Sequence, residues 1–386
     1  MSATIASRTG LASALDDVLR GAVDGGAVPA VVGLVTDRWQ VVYHEAFGWL
    51  DAGRRMPLPR DAIFRLHSMT KPLTSVALMM LCSEGRVRLD DPVSAYLPEW
   101  AEPRVLVRAS EDGRCETRPA RARLTVRHLL AHTSGIGYAF SSPDLLRLVR
   151  ATGKSELELP LLHDPGERWT YGCGTKLVGD IVAAVSGMPL DAFLAERLLG
   201  PLGMEDTSYR VPEDRRCRVV TRHSRRGDAL IEEPNDPVEA FAVRGDLGLY
   251  GTAADYAAFM RLILNEGVAG GRRVAGAEAL RAMGEDQIHP LRVELQPAAD
   301  PERARPFPLG AGRDGFGFGF QIARHTGTAE RSPGSLSWSG LRNTHFWIDR
   351  ARGLGVVLMM QLLPFYDAAA IDLVLAFERR LYEQVA

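Results

Sequence analysis

Ser68 and Lys71 stand three residues apart in Ser68-Met69-Thr70-Lys71, directly before the apolar run Pro72-Leu73-Thr74-Ser75-Val76-Ala77-Leu78-Met79-Met80-Leu81. The run reads as a buried helix, and Pro72 suits its first turn, where a missing N–H leaves no bond unmade. Residues three apart at a helix start share a face, so the hydroxyl and the amine can meet. The positive end of the helix dipole beneath the serine lowers the cost of negative charge on its oxygen. Together these features describe an activated serine nucleophile. Lys71 carries a second signal, because only three of the 46 basic residues are lysines. Lysine can surrender its proton when buried, and arginine in practice cannot. The plainer reading of the same residues is a capping serine beside a solvent-facing lysine. A four-residue motif needs support from other segments.

The elements that would position this pair are legible in outline. Leu11 to Val23 reads as an amphipathic helix, and Val31–Val35 and Gln40–His44 read as two strands joined by a short turn. Ala62 to Leu66 leads into the serine helix. Helical patterns follow at Thr125–Ala131, Pro143–Thr152, Lys176–Ser186, Leu190–Leu199 and Ala253–Asn265, punctuated by Gly and Pro. Ser110 to Arg123 and His289 to Gly315 read as irregular, exposed loops. In the last quarter Phe316–Ile322, Ser335–Trp338, Thr344–Ile348 and Gly355–Met360 read as antiparallel strands, followed by a helix from Asp367 to Glu383. The expected fold is α+β: a central antiparallel sheet assembled from both termini and flanked by helices, with a mostly helical insertion. This gives one catalytic domain over 1–386, with an α/β subdomain from 1–80 and 252–386 and a helical subdomain from 81–251.

Composition excludes several classes. The chain is 46% hydrophobic and 24% charged, as a soluble protein with a sizeable core is. A formal net charge of −2 gives no basis for nucleic-acid or membrane-surface partners. No apolar stretch approaches a membrane span, and the first residues lack a signal-peptide pattern. Cys82, Cys115, Cys173 and Cys217 show neither metal spacing nor a close pair. A reducing cytoplasm accounts for such thiols most simply. His223, His325 and His345 show no ligand spacing, so no metal is assigned.

Three further segments join Ser68 and Lys71: His132-Thr133-Ser134-Gly135, Tyr171-Gly172-Cys173 and Trp338-Ser339-Gly340. In this order they resemble the serine β-lactamase and penicillin-binding superfamily on its class C side, most of all the β-lactamase-like (family VIII) carboxylesterases. The similarity runs from about Ala30 to Met360 and includes Gly248 to Tyr256 and Phe346-Trp347-Ile348-Asp349. The resemblance implies a β-lactamase/transpeptidase-like fold in which Ser68 is acylated and Lys71 and Tyr171 handle its proton. It places the oxyanion between the backbone N–H groups of Ser68 and Leu341, and Trp338, Ser339, Gly340 and Cys173 around the substrate. It implies no cofactor. The proton-handling role is chemically sound: a free phenol near pH ~10 and a free amine near ~10.4 are poor bases, but a buried pair can share one proton near neutrality. His132 to Gly135 reads as structural, a helix end stopped by glycine.

Two departures choose among activities. Relatives with β-lactamase activity carry lysine where Trp338 stands and asparagine where Cys173 stands. An indole offers no cation for a substrate carboxylate, and a thiol is a poor partner for an amide. Hydrolysis of small carboxylic esters is therefore the expected activity. Acyl transfer to an alcohol uses the same residues, a β-lactamase or D-amino-acid peptidase is a further alternative, and a noncatalytic scaffold would have no use for Lys71. Arg342 reads as a solvated strand-end arginine that stands close enough to the cleft rim to matter. Oligomeric state is not legible.

Overall fold

Strand β1 (Ala30–Thr36) shows how the layers arise, because every residue in it is buried and successive side chains enter different cores. Val31 and Val35 join an apolar cluster with Leu11, Leu15 and Leu19 of helix α1 (Arg8–Asp24). Val32 and Leu34 join the larger cluster on the opposite face. This period-2 alternation, apolar on both sides, marks a strand covered on both faces. The computed structural model describes residues 8–51, 53, 55–233, 242–324 and 330–385.

The sheet adds β2 (Val41–Gly48), β3 (Gly315–Phe316), β4 (Gln321–Ile322), β5 (Leu336–Gly340), β6 (Thr344–Asp349) and β7 (Leu354–Met359). Spatial order is β3-β4-β5-β6-β7-β1-β2, with every neighbour antiparallel, so strands from both ends of the chain meet where β7 pairs β1. Helix α1 and the last helix cover one face. On the other lie α2 (Thr70–Ser83), α3 (Thr175–Ser186) and α4 (Ala253–Leu264). The last helix, α5 (Ala368–Gln384), starts at Asp367, whose side chain accepts from the Ala370 N–H. Every residue of α2 from Thr70 to Leu81 is buried, as an all-round apolar helix requires. Among the described residues no single helix is long and apolar enough to cross a membrane.

The structure corrects four readings. Ser110 to Arg123 is not one irregular loop: Cys115–Pro119 pairs with Arg104–Ala109 as a hairpin. Its strands are mostly exposed and polar, so they bear no alternating pattern. His289 to Gly315 is irregular but not wholly exposed, since Val293, Ala304 and Phe307 are buried. Phe316 to Ile322 is two short strands about a turn, β3 and β4, with the Gly317 N–H donating to the Phe320 carbonyl. A further hairpin, Arg222–Arg226 with Ala229–Glu233, was not anticipated.

Candidate active site

Ser68 lies in a single 3₁₀ turn, His67–Met69, that runs into α2. His67 takes φ of 47°, a left-handed conformation uncommon for a side chain of its size, which turns the chain sharply from Leu66 into the helix. Such strained positions cluster at functional sites. The Met69 carbonyl accepts from the Tyr256 hydroxyl of α4 at 3.1 Å, which ties the turn to the core. Gly340, at the end of β5, packs against this turn. A Cβ there would stand 2.3 Å from the Leu66 carbonyl oxygen, so only glycine lets the strand end approach so closely.

Lys71 is 1% exposed, a burial lysine accepts only with partners for its charge. Its Nζ donates to Ser68 Oγ at 3.2 Å, to the Tyr138 hydroxyl at 2.9 Å and to the Asp246 carbonyl at 2.9 Å. Three acceptors match the three protons of an ammonium. The solvent-facing alternative for Lys71 is excluded.

Tyr171 is placed differently from the expected direct partner of Lys71. Its ring centroid lies 4.9 Å from the Lys71 ammonium, and its oxygen accepts the indole N–H of Trp338 at 3.1 Å. The phenol whose hydroxyl accepts from Lys71 is Tyr138, which sequence reasoning missed together with Asp246 and Arg244. The Tyr138 hydroxyl donates to Asp246 Oδ2 at 2.7 Å, and Arg244 clamps the carboxylate at 2.8 and 2.9 Å. One signal was available: Arg244 and Asp246 are charges set in the glycine- and leucine-rich stretch Gly245-Asp246-Leu247-Gly248-Leu249.

Beneath Tyr171 lies an aromatic nest. His132 sits 4.8 Å from Tyr171 and 5.3 Å from Phe316 between ring centroids, and Trp338 sits 4.7 Å from Tyr171. Burial, and then the charge of Lys71, hold His132 well below the usual histidine range, so it is neutral. The helix of Val126–Leu130 is followed by two left-handed residues, His132 at φ 57° and Gly135 at 84°. The histidine, not the glycine alone, makes the turn.

The remaining residues that sequence placed around the substrate occupy varied positions. Trp338 is 5% exposed and faces the same core as Tyr171. Ser339 is next along β5 and therefore points to the opposite face, where its hydroxyl meets Tyr366. Strand alternation thus sets the Ser339 side chain on the face away from Trp338. The Cys173 thiol is fully enclosed, donates to the Gly137 carbonyl at 3.6 Å and is pushed up by burial, which leaves it inert. Arg342 is neither solvated nor at the rim. It is 7% exposed and bound to Glu233 at 2.6 Å and to the His223 carbonyl at 3.3 Å. His223 and His345 join no cluster of metal-ligating residues among the described residues, and His325 lies outside them.

Known proteins share this chain's family and fold. The family model described as Beta-lactamase matches residues 15–379. An uncharacterised protein of Mycobacterium tuberculosis is 32% identical, with 91% of each chain covered. Monacolin J acid methylbutanoyltransferase of Aspergillus terreus is 29% identical over 96% of this chain and 95% of its own. Esterase EstB of Burkholderia gladioli is 28% identical over 96% and 95%. Among solved structures, a mutant of the simvastatin synthase LovD from Aspergillus terreus superposes with a TM-score of 0.84 at 27% identity, covering 96% of this chain and 94% of that one. The fold is thus β-lactamase/transpeptidase-like, and the relatives above include a named acyltransferase and a named esterase.

Proposed function

The chain belongs to the β-lactamase family, and within it we propose a serine carboxylesterase that works through an acyl-enzyme on Ser68. The observation that carries this reading is the fully buried Lys71 hydrogen-bonded to Ser68 Oγ at 3.2 Å. The Ser68 oxygen attacks the ester carbonyl and its proton passes to the Lys71–Tyr171 pair. The negative oxygen of the tetrahedral intermediate rests on the backbone N–H groups of Ser68 and Leu341. Collapse expels the alcohol, which takes a proton from the same pair, and water then repeats the sequence to release the acid. The indole N–H of Trp338 donates to the Tyr171 oxygen and orients it within the aromatic nest.

Ester rather than β-lactam hydrolysis follows from where the cations are spent. Trp338 directs its one polar atom at Tyr171, Arg342 is bound to Glu233 and Arg244 to Asp246. These engaged groups offer nothing to a substrate carboxylate. A second reading, transfer of the acyl group to an alcohol, is favoured by similarity to a named acyltransferase as great as that to a named esterase, 29% against 28% identity. Both readings form the same Ser68 acyl-enzyme and differ in the second acceptor. Release of p-nitrophenol from short- and long-chain esters, measured with and without an acceptor alcohol, separates them. Hydrolysis predicts free acid as the main product in both conditions, whereas transfer predicts a new ester that grows with the alcohol.

A further inference from the structure

Two of the three acceptors on Lys71, Tyr138 and Asp246, come from segments distant in the chain and belong to one buried array. Tyr138 accepts from Lys71 and donates its hydroxyl hydrogen bond to Asp246, whose carbonyl also accepts from Lys71 and whose carboxylate is clamped by Arg244. Asp246 is completely buried. Its loop reaches this depth at Gly245, where a Cβ would stand 2.4 Å from the Thr175 carbonyl oxygen and 2.9 Å from Thr74 Cγ2. Burial alone would push the Asp246 carboxyl up. The Arg244 hydrogen bonds and the Lys71 charge outweigh it and hold the group below the usual carboxylate range. Buried ions add little to stability compared with apolar residues of the same size, so this pair needs another reason to stand beside Lys71.

We propose that Tyr138, Asp246 and Arg244 are positioning residues that act through Lys71. They pin its amine against Ser68 and set the potential at which Lys71 and Tyr171 exchange a proton. The proposal rests on the acyl-enzyme reading above. Around Lys71 stand Tyr138 and His132 from the segment after the Val126–Leu130 helix, Tyr171 and Cys173 from the segment before α3, and Arg244 and Asp246 from the loop before α4. Behind them Tyr209 donates to the Arg244 carbonyl at 2.6 Å, with Asp191 near Tyr209 and Glu156 near Cys173. Burial first holds His132 low and Tyr138, Cys173 and Tyr209 high, so these four stay neutral around pH 7. The Asp246–Arg244 pair is then the charge that bears most directly on Lys71 and Tyr171.

Charge-changing variants of the full chain test this with opposite signs. Asp246→Asn removes a negative charge, so both limbs of the kcat/KM profile for p-nitrophenyl butyrate move to lower pH, by about one pH unit. Arg244→Gln removes a positive charge, and both limbs move up by a similar amount. Tyr138→Phe keeps the charge and deletes one acceptor of Lys71. Its limbs stay in place while kcat falls roughly 10- to 100-fold at near-constant KM. Thermal melts by circular dichroism accompany each variant. Should Asp246→Asn not fold, Arg244→Gln and Tyr138→Phe decide, since the arginine is partly exposed. Limbs that stay at wild-type pH in both charge variants, or move the same way, overturn the array. Labelling by a serine-directed phosphonate keeps the two readings apart. Label on Ser68 with unmoved limbs refutes the array alone, and a wild-type label on a different serine removes the acyl-enzyme reading and the array with it.

Discussion

The two flanks of Lys71 are built from opposite materials. On one side Tyr138, Asp246 and Arg244 form a chain of charge-assisted hydrogen bonds of 2.7 to 2.9 Å. On the other, Tyr171 rests in a nest of His132, Phe316, Trp169 and Trp338, with the Trp338 N–H as its polar contact. Both flanks offer a phenol, yet their chemistry diverges. Burial and then the charge of Asp246 push the Tyr138 phenol well above its ordinary value, so it keeps its proton. Tyr171 instead turns its ring to the Lys71 ammonium and accepts the Trp338 N–H. On the proposed mechanism the polar flank holds charge and the aromatic flank moves the proton.

The most severe way to break this picture is at the atom both flanks serve. Ser68→Ala should abolish ester turnover, by on the order of 10⁴-fold or more, with an unchanged melting curve. Mass spectrometry after phosphonate treatment should place the added mass on Ser68 in wild type and nowhere in the variant. Label on Ser134 or Ser339 would sink the assignment. Next in size is Lys71→Arg. Arginine keeps the charge and satisfies the polar flank but cannot give up a proton to the aromatic one. A loss of roughly 10²–10⁴-fold in kcat is expected from steady-state rates. Near-normal kcat would mean that Lys71 only holds charge, and that the flanks do not differ in the way described.

How much of this was legible in the sequence depends on distance along the chain. Ser68 and Lys71 announce themselves because three residues on a helix are three residues in space. The sheet was legible where β1 and β7 are apolar on both faces and β6 carries Phe346, Trp347 and Ile348 in a row. Tyr138 and Asp246 stand 67 and 175 residues from Lys71, and no periodicity links positions so far apart. Tyr171 entered only through resemblance to a family motif. The exposed hairpins at Arg104–Pro119 and Arg222–Glu233 escaped because strands without a buried face need no alternation. Arg342 misled for a similar reason: a charged residue after a strand reads as solvated until Glu233 is seen to meet it.

Smaller effects sharpen the comparison. Trp338→Phe keeps the ring in the aromatic nest and deletes the N–H that reaches Tyr171. A neutral hydrogen bond is worth about 1 kcal/mol, so kcat should fall roughly five- to tenfold, with KM little changed. A rise in KM for bulky acyl groups at constant kcat would instead make Trp338 a pocket wall.

Arg342→Ala gives the smallest effect on activity and tests whether any cation reaches the cleft from the β5 end. Its guanidinium is 7% exposed and committed to Glu233 and the His223 carbonyl. It therefore pins the Arg222–Glu233 hairpin to the end of the sheet. Truncation should leave kcat/KM for uncharged esters within about twofold and lower stability by about 1–2 kcal/mol, because a partly buried Glu233 loses a charged hydrogen bond. Urea melts followed by circular dichroism give the second number. Turnover of a chromogenic cephalosporin should be weak in wild type and unchanged in the variant. Strong cephalosporin turnover that vanishes in Arg342→Ala would show the guanidinium leaving Glu233 to grip a substrate carboxylate. The aromatic flank would then include a mobile cation, and a β-lactamase with a displaced carboxylate anchor would replace the esterase.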